Sequence, residues 1–110
     1  MSECLFCKIA AKQIPAKVVY EDDYTLAFYD INPQAPKHLL LIPKLHLENI
    51  LGLADDTAAH MLAAMRCIAS EQDFSQGFRV VANTGEQGGQ TVYHLHWHLL
   101  SGRHLGWPPG

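Results

Sequence analysis

Residues 90–100 read Gln-Thr-Val-Tyr-His-Leu-His-Trp-His-Leu-Leu, three histidines alternating with large apolar residues. Strict alternation marks a strand with one buried face, because successive strand side chains point to opposite sides. His94, His96 and His98 are predicted to share one face. Leu95, Trp97 and Leu99 occupy the other, packed on a core. Neighbouring histidines on such a face stand about 6.5–7 Å apart, so each can have its own task.

The rest of the chain supplies partners for that strand. Residues 3–12 carry Leu5, Phe6, Ile9 and Ala10 at helical spacing, a short helix ended by Ile14-Pro15. Residues 17–21 and 24–29 read as a hairpin across Glu21-Asp22-Asp23. Residues 30–36 are rich in turn formers, and 38–43 form a buried central strand. Residues 49–53 are a short helical or irregular connection. Asp55-Asp56 opens the main helix, with acidic residues suited to its dipole. Its apolar face is Ala58, Met61, Leu62, Met65, Ile68 and Ala69, running to about Asp73. A strand over 78–82 and a glycine-rich loop over 83–89 lead into the histidines. Strands with one long and one short helix, and no βαβ alternation, predict a single α+β domain over 1–110 with an antiparallel sheet of about five strands.

Composition narrows the function. The 110 residues are 48% hydrophobic and 17% charged, enough for one core without staples. The net charge of −3 gives no reason to expect nucleic acid or an anionic membrane as partner. A nucleotide-sized anion needs only a few backbone N–H groups. The three cysteines, an odd count without a charged leader and apolar run before them, argue against a disulfide framework. No apolar run is long enough to span a bilayer. The expectation is a reducing, cytoplasmic setting.

Two constellations carry chemistry. Gly85, Gly88 and Gly89 let the backbone approach a ligand and aim N–H groups at it, with Gln90 and Thr91 adding side-chain donors. His96 beyond them is a candidate nucleophile toward phosphorus. The plainer alternative is a hairpin loop followed by surface histidines. Cys4-x-x-Cys7 has the spacing of a zinc-ligand pair, although packed cysteines or a redox pair have it too. Phe6, Ile9, Phe28 and Ile31 read by themselves as core. Cys67 reads as a packed thiol and His60 as a solvated side chain, while His104 has no assignable role. Lys44 and Arg103 read as surface charges.

The segment from Gly88 to Leu100 closely resembles the signature of the histidine-triad (HIT) superfamily, His-φ-His-φ-His-φ-φ with φ apolar. The resemblance continues through Ile14-Pro15-Ala16-Lys17, residues 28–38, Ile42-Pro43-Lys44 and the ending Trp107-Pro108-Pro109-Gly110. These look like the Hint branch, the histidine-triad nucleotide-binding proteins. The resemblance implies a homodimeric hydrolase of purine nucleoside 5′-phosphoramidates, with His96 attacking the α-phosphorus. A nucleotidyl-histidine forms, and water then releases the nucleoside monophosphate. It further implies that Thr91, in place of the usual serine, stands near the leaving group, and that His38 and His98 support nucleophile and phosphate. Asn83, with Gly89 and Gln90, falls on the phosphate side. Asp30 falls at the ribose hydroxyls, and Phe6, Ile9, Phe28 and Ile31 at the purine. Trp107 falls near the partner subunit's site.

Some members of the superfamily pair the two cysteines with two histidines, here His46 and His94. The resemblance thus implies a structural zinc on Cys4, Cys7, His46 and His94, and no cofactor for catalysis. A zinc shared by His94 and His96 is the rival arrangement, and it would consume the nucleophile. Two other readings of function stand beside the phosphoramidase. One is a nucleotide-binding, partner-binding module with incidental activity, and the other is a dinucleoside polyphosphate hydrolase.

Overall fold

Two apolar runs, Leu26-Ala27-Phe28 and Leu39-Leu40-Leu41-Ile42, are buried on both faces, which places them at the centre of a sheet covered from both sides. The computed structural model describes residues 3–110; Met1 and Ser2, the start of the expected domain, lie outside the described residues. Helix α1 (Leu5–Ala10) is followed by strands β1 (Val18–Glu21), β2 (Thr25–Tyr29) and β3 (Lys37–Pro43). A 3-10 turn (Ile50–Gly52), helix α2 (Asp55–Glu71), β4 (Phe78–Val81) and β5 (Trp97–Ser101) complete the chain. The sheet is antiparallel throughout, in the order β1-β2-β3-β5-β4. The α+β architecture with five strands is the one expected.

Strand alternation divides the interior in two. Ala27, Leu39, Leu41, Trp97 and Leu99 face Met61, Ala64 and Ile68 of α2. Leu26, Phe28, Leu40 and Ile42 face Phe6 and Ile9 of α1. His38 and His98 have the parity of this second face, at diagonal positions of the β3–β5 ladder, where Leu40 is opposite His98 and His38 opposite Leu100.

Three expectations need correction. The histidine stretch is strand only from Trp97; His94 and His96 approach it in an irregular segment. The ladder stops there on both sides: β4 ends at Val81 opposite His98, and β5 pairs with β3 only as far as Leu41 opposite Trp97, although β3 itself runs on to Pro43 beside β2. The facing survives: Leu95, Trp97 and Leu99 all join the α2 side. Second, α1 is shorter than 3–12. It ends before the proline, at Ala10, and Lys12, with a φ of 65°, turns the chain while Gln13 N–H closes onto the Lys8 carbonyl at 2.8 Å. Third, on α2 the buried positions are Met61, Ala64 and Ile68, and Leu62 is exposed. Met61, Met65, Ile68 and Ala69 pack on the core as expected; Ala64 joins the face and Leu62 leaves it. The helix stops at Glu71 rather than Asp73, which has a φ of 58° and hands the chain to the buried Phe74.

Candidate active site and metal cluster

A cavity of about 680 Å³ opens on the α1 side of the sheet, within the range of small-ligand sites. Its apolar wall is built by Phe6 and Ile9 of α1 and Phe28 of β2, with the fully exposed Ile31 at its rim. Asp30, one residue past β2, brings a carboxylate to the edge. Asn83, Gly89 and Thr91 line the loop side, and His96 and His98 complete the lining. One fold position therefore gathers most of the residues singled out from sequence. Phe6 stands edge-on to Phe28 at 5.5 Å and to His96 at 5.1 Å.

Hydrogen bonds assign the protons of the histidines. The Gln34 backbone N–H donates to His38 Nδ1 at 3.0 Å. A neutral ring that accepts at Nδ1 carries its proton on Nε2. His38 Nε2–H therefore donates to His98 Nδ1, 2.9 Å away, which leaves the His98 proton on Nε2. Asp30 Oδ2 lies 3.4 Å from His38 Nε2 and is a second, longer acceptor. His96 is set the other way. Its Nδ1–H donates to the His94 carbonyl at 2.8 Å, so its Nε2 keeps a lone pair. Burial, reinforced by His96 and His38, holds His98 down to about 4. Burial also lowers His38, against the pull of Asp30. Both rings are neutral near pH 7.

Gln90 plays a different part from the one expected. Its buried side chain accepts from Gly85 N–H at 2.9 Å and donates to the carbonyls of Glu48 at 2.6 Å and Val92 at 3.2 Å. It shapes the loop and does not line the cavity. The N–H groups of Gly85, Gly89 and Gln90 are likewise spent inside the loop, the last two on the carbonyls of Glu86 and Gly85. The amides of Gly85 and Gly89, expected to point at a ligand, instead close the turn. Asn83 Nδ2 braces the same loop through the Gly88 carbonyl at 2.7 Å. Trp107 is 84% exposed and lies outside the cavity of this single chain.

A second cluster lies beside the cavity. Cys4 Sγ is 3.3 Å from His94 Nδ1, Cys7 Sγ is 3.5 Å from His94 Nδ1 and 3.3 Å from His46 Nδ1, and the two imidazole nitrogens are 3.2 Å apart. Tetrahedral zinc, with bonds of about 2.3 Å to sulfur and about 2.0–2.1 Å to nitrogen, separates its donors by about 3.3–3.8 Å. The donor set fits. His94 Nε2–H donates to the Pro43 carbonyl at 2.9 Å, which leaves Nδ1 as the ligating atom. The wholly buried His94 is thus oriented for a metal, and His96 is left out of the set. Asp30, His38 and His98 also bring donor atoms together. Gln34 N–H rules that trio out as ligands, because it keeps the proton on His38 Nε2.

Some contributors were invisible in the sequence. The Gln34 N–H and the carbonyls of Pro43 and His94 act through the backbone, and no side-chain pattern marks them. Lys17 and Tyr29 also line the cavity, with the Lys17 ammonium 5.2 Å from the Tyr29 ring centre. The hairpin pairing of β1 and β2 was the signal that could have placed them there.

Comparison with known proteins agrees with this geometry. The HIT domain family matches residues 11–105. A HIT family hydrolase from Legionella pneumophila superposes with a TM-score of 0.94 at 51% identity, covering 98% of this chain and 100% of that one. The 14 kDa zinc-binding protein of Brassica juncea is 46% identical, covering 98% of this chain and 100% of its own. Adenylylsulfatase HINT1 of Arabidopsis thaliana is 45% identical, covering 99% of this chain and 78% of its own. A signature of three alternating histidines, the five-stranded sheet that carries it and a match over nearly the whole chain place this protein in the HIT domain family, with relatives that support its Hint branch.

Proposed function

We propose that the protein hydrolyses the P–N bond of purine nucleoside 5′-phosphoramidates, of the AMP-lysine or AMP-NH2 type, through a nucleotidyl-histidine on His96. The observation that carries the reading is the 2.8 Å bond from His96 Nδ1–H to the His94 carbonyl. It holds an unprotonated Nε2 on a ring that lines the cavity. Attack of Nε2 on the α-phosphorus forms the N–P bond and breaks the bond to the amine, which leaves with a proton taken up from solvent. The imidazole becomes cationic, and the carbonyl at Nδ1 turns into a charge-assisted acceptor that favours this state. Water then cleaves the N–P bond, returning neutral His96, releasing AMP and giving the proton back to solvent. Two easier displacements replace one difficult step.

The other residues divide the work. His98 presents Nε2–H to a phosphoryl oxygen, and His38 fixes that tautomer. Thr91 and Asn83 stand on the phosphate and leaving-group side. Asp30 accepts from the ribose hydroxyls, a task suited to a carboxylate. Phe6, Ile9, Phe28 and Ile31 take the purine. The name of the Arabidopsis relative supports a second leaving group, sulfate, on the same adenylyl half. Cys4, Cys7, His46 and His94 would hold zinc, whose contribution is cross-linking. Two copies of the chain would form the dimer, a reading supported by the sheet edge at β4 with Phe78 and Val80 exposed and by the exposed Trp107 outside its own chain's cavity.

Steady-state hydrolysis of an adenosine 5′-phosphoramidate with an aromatic amine leaving group tests the reading. Replacing His96→Ala is expected to lower kcat/KM by at least about 10³-fold, as loss of a covalent nucleophile does. AMP binding without His96-dependent turnover would leave a binding module. Faster turnover of a dinucleoside tetraphosphate than of the phosphoramidate would favour the polyphosphate hydrolase.

A further inference from the structure

Helix α1 has six residues, well below the ~12–15 at which isolated helices become even marginal in water. Its place is set by what it touches. Phe6 and Ile9 pack on Leu26, Phe28, Leu40 and Ile42 and form the apolar wall of the cavity. Cys4, at the N-cap, and Cys7, one turn on, reach His46 and His94. Two residues connect these contacts to the candidate nucleophile. The Phe6 ring lies between the cysteines in sequence and meets His94 at 6.0 Å and His96 at 5.1 Å. His94 turns its Nδ1 to the thiols while its carbonyl accepts the proton of His96 Nδ1.

We infer that the Cys4–Cys7–His46–His94 cluster controls the nucleotide cavity: a zinc ion there pins α1 and residue 94, and so tightens binding of the nucleotide that Phe6, Ile9 and His96 face. The inference rests on the nucleotide reading above. The control is local. The α2 side of the core contains none of the four ligands, so the sheet and α2 keep their packing without metal. Coupling between two binding sites is reciprocal, so AMP must tighten zinc binding by the same factor.

The test uses the full chain, zinc-loaded and chelator-stripped. Titration calorimetry gives the Kd of AMP for each form. Competition with a chromophoric chelator gives the zinc affinity with and without saturating AMP. AMP is expected to bind about 5- to 150-fold more tightly to the loaded form, with the same factor in the zinc affinity. Far-UV circular dichroism is expected to keep its sheet signal after stripping. The Phe6→Leu variant retains all four ligands, and both factors are expected to shrink toward one. Equal AMP affinity in the two forms overturns the coupling and leaves the nucleotide reading standing. Loss of the sheet signal on stripping, or undiminished coupling in Phe6→Leu, overturns the local route through α1. Absence of AMP binding in both forms overturns the nucleotide reading, and the coupling with it.

Discussion

Gln34 contributes one backbone N–H, and through His38 that bond sets which nitrogen of His98 carries the proton. Such placement has a measurable pH signature. An unfolded histidine titrates near 6.5, whereas folded His98 sits at about 4. Between those values the unfolded chain binds the extra proton. Stability from neutral His98 is therefore complete above about pH 6.5 and lost as the pH falls toward about 4. Urea midpoints of the native protein should decline over that window, and less steeply for His98→Gln; equal slopes would sink the assignment. Gln90 makes a second case. Gln90→Ala strips partners from Gly85 N–H and the Glu48 and Val92 carbonyls. Unfolding stability should fall by about 2 kcal/mol, the usual scale for polar groups left unpaired. A change under 0.5 kcal/mol, as an order-of-magnitude threshold, would show that water replaces the side chain without loss.

Elements differ in how far their limits could be read in advance. β3 was legible because a continuous apolar run needs cover on both faces. The reach of β5 was not, because a strand runs only as far as it is paired, and that pairing is set by β4 and β3, which lie elsewhere in the chain. The end of α1 was assigned to a proline although a left-handed Lys12 ends it earlier. The glycine loop was recognised, but the amides of Gly85 and Gly89 are engaged in closing the turn. That closure predicts the effect of Gly88→Ala. An added Cβ would lie 2.3 Å from the Thr84 backbone carbonyl oxygen, so the loop must open. Strain of about 1–3 kcal/mol is the usual cost of such overpacking. The displaced Thr91 and Asn83 should lower kcat/KM at least about tenfold, since small misplacements of positioning groups have large effects. Wild-type kinetics in Gly88→Ala would mean that the loop's shape does not matter to the reaction.

At the scale of the molecule, the sheet separates two duties. One face is a core sealed by α2; the other carries the cavity and the metal cluster under α1. No helix among the described residues is long and apolar enough to cross a membrane. The sheet has two open edges, β1 and β4, and an open edge offers unpaired backbone groups to another strand. Phe78 and Val80 stand exposed on β4. Light scattering should therefore report twice the chain mass, and Val80→Lys should shift it toward one chain. A monomeric native protein would remove β4 as an interface and leave Trp107 without a partner site.

The alternation of His94 to Leu100 by itself determined which side of the sheet is core and which carries chemistry, because strand geometry leaves only two sides. The spacing of Cys4 and Cys7 likewise put two thiols on one turn of a helix, and the family signature drew the remaining site residues together. Only the tertiary structure decided the roles of the three histidines. His94 and His96 differ because one ring meets the cysteines and the Pro43 carbonyl, while the other meets the His94 carbonyl. His98 differs again because His38 reaches it across the ladder. These partners lie up to 90 residues away in the chain, and several are backbone atoms common to every residue type. A local pattern can place side chains on a face; proton positions and metal ligation depend on what the fold brings opposite them.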